Sequence, residues 1–513
     1  MNWVICIVFV ALFLFVTCLG FAAARWRYGD LNLLHEWGLG GRRFGTVLTW
    51  FLLGGDIYTA YTFIAIPALM FGAGAVGFFA IPYTTMIYPI LYIVMPRMWA
   101  IYHRLGHVTA ADFVRGRFGN RWLALAVALT GLVATMPYIA LQLVGMEVVI
   151  GAMGIPTSGM LGDLPLMIAF IVLAAFTYTS GLRAPAMIAV VKDVLIYVAA
   201  LAAIVVVPMH FGGSEAIFAK VPPTKLLLAA PGPNTTGSFS AYATLALGSA
   251  LALYLYPHSL TGILSASDGQ AIKRNAIFLP AYSLVLGVLA LMGFMALALG
   301  VAQMPEFAEG FKLYGANFSV PALFLAVFPS WFVGVVFAAI AIGALVPAAI
   351  MSIAAANIYT RNIYREFIRP NCTDAEESLM AKRASLVVKV GALAFILVLP
   401  LPYAVQLQLL GGVWIIQTLP AVMLALYIRF FNGWALLLGW FVGVGSATWM
   451  AAQLGFASAI YPITIGGVTV PCYIALSSLV LNIAVSAVMS PVINALFADQ
   501  ARLAMAGDRD ANH

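Results

Sequence analysis

Three small clusters in this chain combine residue types that do chemistry in apolar surroundings. Gly54-Gly55-Asp56 stands in the middle of an apolar run from Phe44 to Gly72. Two glycines weaken a helix and so expose backbone groups, and a carboxylate in hydrocarbon is costly and usually functional. Lys192-Asp193 puts an ammonium beside a carboxylate in a second apolar run; Gly248-Ser249 and Tyr256-Pro257-His258 interrupt a third. Groups of these kinds hold ions, protons and carboxylates. A half-helix beginning after Gly55 would offer an anion free N–H groups and a favourable dipole. Tyr58, Thr59, Thr62, Gln142, Tyr256 and Gln417 add polar side chains on this and other apolar runs. Each of them has an ordinary alternative as an interhelical hydrogen bond, and each glycine as a site of close helix packing.

Enzyme chemistry finds no support. There is no nucleophile elbow, HExxH, P-loop or carboxylate pair beside a histidine. Cys6, Cys18, Cys372 and Cys472 lie far apart with no CxxC and no His/Cys cluster, so neither metal, cofactor nor disulfide framework is indicated. They read as buried apolar side chains.

The elements that must position these groups follow from composition. Of 513 residues, 64% are hydrophobic and 8% charged, against roughly 25% charged in a globular domain. Mean hydropathy is +1.03, so most of the chain has lipid as its solvent. The net charge of +7 does not point to nucleic acid, because the basic residues stand singly in short loops. Apolar runs of about 20 residues, the length of a membrane-crossing helix, recur from end to end. They predict an all-α membrane protein of about 13 transmembrane helices, starting near residues 3, 45, 76, 121, 164, 187, 241, 276, 325, 386, 406, 433 and 470. The run at 3-24 reads as a retained span, since no cation leads it and Arg25 and Arg27 follow. Tyr83, Tyr88 and Trp99 are expected in an interface belt, and Met136-Pro137 is expected to kink the fourth span.

An odd number of spans puts the termini on opposite sides. The loops then sort the cations: Arg25, Arg27, Arg42, Arg43, Arg97, Arg104, Arg115, Arg117, Arg121, Arg183, Lys273, Arg274, Arg361, Arg365, Arg369, Lys382, Arg383 and Arg429 on one side, only Lys220, Lys225 and Lys312 on the other. By the positive-inside rule the first side is cytoplasmic. The expectation is a multi-pass protein of a bacterial inner membrane with a periplasmic N-terminus and a cytoplasmic C-terminus. One transmembrane domain at 1-497 precedes a polar cytoplasmic tail at 498-513, and no obligate protein partner is evident.

The second and seventh spans, five apart, are both interrupted. Paired interrupted helices opening two five-span halves are the sequence pattern of an inverted-repeat (LeuT-type) transporter with a midplane site. The repeats are expected at about 44-211 and 241-428, with extra helices at 3-24, 433-455 and 470-497. A channel would call for a polar filter or charged rings instead.

The link Thr109-Ala110-Ala111-Asp112-Phe113-Val114-Arg115-Gly116-Arg117-Phe118-Gly119 resembles the T-x-x-E/D-F-x-x-x-R-F-G stretch of the sodium:solute symporter family. Gly181-Leu182 to Lys192-Asp193, Tyr256-Pro257-His258, Arg361-Asn362-Ile363-Tyr364 and Pro420 fall in that family's order. Within it, Glu36-Trp37-Gly38-Leu39-Gly40-Gly41, Met136-Pro137-Tyr138-Ile139-Ala140-Leu141-Gln142, Ser180-Gly181-Leu182-Arg183-Ala184-Pro185-Ala186 and Gly343-Ala344-Leu345-Val346-Pro347-Ala348-Ala349 resemble bacterial monocarboxylate permeases. The resemblance implies uptake of pyruvate, lactate, acetate or propionate. It also implies that Gln142, Tyr256 and Gln417 lie on site-lining spans and that His258 occupies a gate position.

In sodium-coupled members of the family a span-nine Ser-Thr pair supplies hydroxyl oxygens to Na⁺. Here Val346-Pro347 stands where that pair is expected, and a hard cation needs several oxygens. A one-turn slip of this alignment would bring in Ser352. Lys192 is expected to replace the ion, its protonation and release coupling transport to H⁺ or leaving it uncoupled; Na⁺ coupling is the alternative, with an amino acid or a sugar as alternative solutes. Lys192 also has a reading as a snorkelling side chain, as does Lys389, about one turn from its helix start. Consecutive residues point about 100° apart on a helix. Asp193 is therefore expected to face the cytoplasmic exit path, and Asp56 to be the buried partner of Lys192 or a group that titrates itself.

Overall fold

The computed structural model describes residues 2–26, 29–156, 164–398 and 404–510. Arg27, counted above among the cytoplasmic cations, and residues 511–513 of the expected tail lie outside them. Ten helices among the described residues are long and apolar enough to cross a bilayer, eleven with the bent pair Phe239–Leu253 and Pro257–Leu264. Thr46–Ile57 and Leu164–Ser180 are shorter apolar helices.

The described chain is mainly helical, with one feature absent from the sequence expectation. Ile460–Ile465 and Val468–Tyr473 pair as an antiparallel hairpin, turned by Gly466 and Gly467, both at positive φ, which glycine adopts without a Cβ penalty. The last helix therefore begins at Ile474, not near 470, and continues to Asp510 through the expected tail.

Local signals set the helix ends that matter here. Thr109 accepts from the Asp112 amide and Asp112 reaches back to the Thr109 amide, a capping box opening the helix Ala110–Phe118. Gly119 ends that helix at φ 64°, and Asn120 caps the next, Arg121–Ala152. The family-like link is thus a cap, a short helix, a stop and a second cap. It is latched to the end of the Ser330–Ile358 helix: Thr109 Oγ1 donates to Asn362 Oδ1 at 2.7 Å, and Asn362 Nδ2 donates to Asp112 Oδ1 at 2.7 Å.

Two other motifs also meet. Glu36 and Arg183 are both buried and form an ion pair at 2.5 Å, joined by Arg43. The Trp37 carbonyl accepts from the Leu182 amide at 2.9 Å. Gly181 is required twice there, at φ +57° and because a Cβ would strike the Trp37 carbonyl. Removing one partner of a buried ion pair leaves an uncompensated charge, at a cost of about 3–5 kcal/mol. Glu36→Gln is accordingly expected to lower the melting temperature in detergent sharply, while Arg43→Gln, at the exposed end of the cluster, lowers it little.

Several expectations change. Tyr83 and Tyr88 are buried rather than in an interface belt, with the Tyr88 hydroxyl donating to the Leu279 carbonyl at 2.9 Å. The Arg121–Ala152 helix is continuous through Pro137. Lys389 does not reach the interface: its buried ammonium turns back onto Ser385 Oγ of its own helix at 2.6 Å.

Candidate ion and substrate site

The first broken helix sets the geometry. Thr46–Ile57 stops at Tyr58, and regular structure resumes at Tyr61. The break thus lies at residues 58–60, and Gly54, Gly55 and Asp56 remain helical, contrary to the expected interruption at the glycines. Their role is packing: a Cβ on Gly54 would collide with the Tyr282 ring, and one on Gly55 would lie 2.9 Å from Lys192 Nζ. Gly54→Ala is expected to cost about 1–3 kcal/mol of stability, as overpacking does, read as a lower melting temperature.

Each amide freed at the break finds a side chain. The Thr59 amide donates to Thr62 Oγ1 at 3.0 Å, the Ala60 amide to Gln142 Oε1 at 3.0 Å, and the Tyr61 amide to Thr59 Oγ1 at 3.1 Å. Thr59, Thr62 and Gln142 therefore build the break, and these amides are not the free donors expected of the half-helix. The corresponding carbonyls are left to other partners, since backbone acceptors in a dry interior must be paired.

Lys192 takes two of them. Its ammonium donates to the Gly55 carbonyl at 2.5 Å and the Tyr58 carbonyl at 2.8 Å. The side chain is fully buried, which excludes snorkelling. Its acidic partner is Asp193 at 3.2 Å, not Asp56. The neighbours diverge at Cβ, but the four-carbon stem of lysine lets its head come back to the carboxylate. Asp193 is itself buried and accepts from the Tyr282 hydroxyl at 2.6 Å, so it faces the protein centre rather than an exit path. Tyr58 donates from its hydroxyl to the Tyr282 carbonyl at 2.9 Å.

Asp56 turns to the second broken helix. The seventh span passes unbroken through Gly248, where a Cβ would meet Tyr473, and breaks at Tyr254–Tyr256 before Pro257 with a bend of 49°. Ser259 donates to Asp56 Oδ2 at 2.5 Å, and His258 Nε2 lies 3.5 Å from Asp56 Oδ1. The His258 ring sits between Tyr138 and Tyr256, with centroids at 5.2 and 5.3 Å. Neither of its nitrogens has a hydrogen-bond partner among the described residues. Tyr256 donates to the Gln408 carbonyl at 3.1 Å.

Val346 and Pro347 are buried in an uninterrupted helix, Ser330–Ile358. Gly343, one turn before them, meets Ile196, one turn after Lys192. Ser352 donates to the Ala349 carbonyl at 2.8 Å, one turn back in its own helix, which leaves its oxygen lone pairs unused. Gln417 lies away from these groups: its Nε2 donates to Ser478 Oγ at 2.9 Å, and its Oε1 accepts from Asn482. It is an interhelical contact to the last helix, the ordinary fate of a membrane glutamine. Gln417→Leu should leave the KM for substrate within about twofold of wild type while lowering thermal stability, a split that separate uptake and melting curves resolve.

Below the second break, Thr109, Gly131, Pro257, Thr261, Ile358 and Thr418 border a cavity of about 20 Å³, room for about one water. The groups that sequence missed are Tyr282 and Ser259. Ser259 adjoins a flagged histidine, whereas no local signal marks Tyr282, which reaches the site from an unbroken helix.

Two broken helices around a buried ammonium, two carboxylates and a histidine are the arrangement of a membrane transporter. The chain belongs to the sodium:solute symporter family, whose model matches residues 37–443. It is 50% identical over 496 residues to a protein of Rhizobium johnstonii named "Monocarboxylate transport permease protein", covering 95% of this chain and 96% of that one. It is also 34% identical over 419 residues to the uncharacterized symporter YodF of Bacillus subtilis, with 80% of each covered. Its fold is similar to that of a Na⁺-coupled sialic acid symporter in a substrate-bound outward-open state, at TM-score 0.75 and 14% identity, over 96% of this chain and 98% of that one.

Proposed function

We propose that the chain takes up short-chain monocarboxylates such as pyruvate, lactate, acetate or propionate by alternating access, coupled to H⁺ or independent of Na⁺. Support for the substrate comes from the Rhizobium permease, which is similar over nearly the whole chain. The observation that carries the coupling is the Lys192 ammonium, bonded to the carbonyls of Gly55 and Tyr58 beside Asp193. Carbonyl oxygens at a helix break with a nearby carboxylate are what a hard cation would use. Here a covalently attached cation uses them, and Val346 and Pro347 of the Ser330–Ile358 helix bring no side-chain oxygen.

In this reading the architecture is thirteen spans with five-plus-five inverted repeats, residues 1-497 form one domain, and the N-terminus is periplasmic. The substrate carboxylate is held beside His258, whose unpaired ring has one N–H to donate, with Tyr138 and Tyr256 around it. Because the cavity below Pro257 holds about one water, release requires the second broken helix to move and the Thr109–Asn362 latch to open.

The test is uptake of labelled pyruvate or lactate into proteoliposomes with a pH gradient and a Na⁺ gradient imposed separately. Uptake driven by the pH gradient and indifferent to Na⁺ is expected. Strict Na⁺ dependence overturns the coupling, and saturable uptake of an amino acid or a sugar but no monocarboxylate overturns the substrate.

A further inference from the structure

The cytoplasm-facing cations are not all used alike. In most places they meet acids: Arg361 and Arg365 pair with Glu377, Arg369 with Glu376, and Arg115 with Glu366. Two of the pockets on this face are lined by both signs, Asp112 and Glu366 with arginines in one, Asp374 and Glu377 with arginines in the other. A third differs. Arg97, Arg104, Arg117 and Arg429 converge on a cavity of about 340 Å³ that no aspartate or glutamate lines. Among the described residues none of the four has a salt bridge to an acid; Arg97 lies over the Tyr427 ring at 4.4 Å. Burial holds the nearby His107 imidazole below its usual value, so at neutral pH the arginines carry the pocket's charge.

Its remaining walls are apolar: Ile101, Leu105, Phe113, Ala425 and Leu426. Exposed Leu105, Tyr427, Ile428 and Phe430 continue that surface outward. Four unneutralised guanidinium groups repel one another, and they match phosphate oxygens in geometry as well as charge. A polar cavity at the membrane boundary with an apolar margin suits a ligand that has a phosphate head and a hydrocarbon tail.

We propose that this pocket binds the phosphate headgroup of an anionic phospholipid, its acyl chains lying along the Leu105 and Phe430 surface. The site joins three elements. Arg97 and Arg104 end the Ala80–Leu105 helix, Arg117 belongs to the short helix latched to Asn362, and Arg429 follows the eleventh span. A bound lipid therefore ties the latched helix to the end of the eleventh span and modulates the opening of the latch.

The experiment is native mass spectrometry of the full chain released from phosphatidylcholine nanodiscs containing a minority of phosphatidylglycerol, with pyruvate uptake measured in liposomes of the same compositions. Wild type is expected to retain phosphatidylglycerol selectively. Arg97→Gln/Arg429→Gln should lose at least about tenfold of that retention, since each basic residue near an anionic surface contributes several-fold. Lys273→Gln/Arg274→Gln, equally cationic but outside the pocket, should lose none. A quadruple Arg→Lys variant guards against misfolding by preserving charge, and is expected to retain an intermediate amount. Equal retention by wild type and the Arg97/Arg429 variant overturns the proposal. So does displacement of the lipid by millimolar inorganic phosphate, which would make the pocket a site for a soluble anion. The lipid readout does not depend on which solute is carried, so it fails or stands separately from the transport reading.

Discussion

Lys192→Ala is expected to abolish accumulation of labelled pyruvate driven by a pH gradient, a fall of at least about a hundredfold, while wild-type uptake is unaffected by Na⁺. The physical reason is the number of groups one ammonium serves. Removing it leaves the Gly55 and Tyr58 carbonyls without a donor, at about 1–3 kcal/mol each, and strips Asp193 of its counter-charge. Loss of one partner from a buried pair costs about 3–5 kcal/mol, so a lower melting temperature accompanies the transport defect. Two measurements separate coupling from mere instability. Counterflow exchange of unlabelled against labelled pyruvate needs no driving ion and should survive in whatever fraction of the variant elutes monodisperse. Accumulation should not. Should Lys192→Ala still accumulate pyruvate under a pH gradient alone, the ammonium is a structural brace and the coupling assignment is wrong.

That brace and its site were only partly legible in the sequence. Broken second and seventh spans followed from glycine, proline and a buried carboxylate, features confined to a few adjacent residues. The exact break did not follow. It depends on Thr59, Thr62 and Gln142 replacing helical acceptors, and Gln142 comes from another span. Gly54-Gly55 read as a weak point and Gly248 as either a weak point or a close contact, and the neighbours that decide, Tyr282, Lys192 and Tyr473, are remote in sequence. The angular argument separating Lys192 from Asp193 failed because it placed Cβ atoms, whereas the ammonium sits at the end of a long flexible stem. Asp56 was assigned to Lys192 as the available acid, but the fold turns it toward Ser259. Motifs that resembled the family, such as Thr109 to Gly119 and Glu36 to Gly41, proved to be capping and ion-pair devices whose partners lie 253 and 147 residues away.

Asp56→Asn carries the second large effect, and it tests whether the two broken helices communicate through charge. Asparagine keeps the shape and can still accept from Ser259, so packing and most of the stability should persist, with the melting temperature near that of wild type. What is lost is the negative charge 3.5 Å from His258 Nε2, which orients the imidazole and its N–H within the site. Pyruvate uptake by Asp56→Asn is therefore expected to fall at least about tenfold, chiefly through a raised KM. His258→Gln should reproduce the raised KM, and combining the two substitutions should add little, because residues acting through one contact are not additive. A fully additive double variant would separate the two residues and leave Asp56 as a link between helices through Ser259 alone. Ser259→Ala then decides the point: it removes the 2.5 Å hydrogen bond and keeps the charge, so a KM near that of wild type in Ser259→Ala, beside a raised one in Asp56→Asn, locates the function in the carboxylate's field on His258.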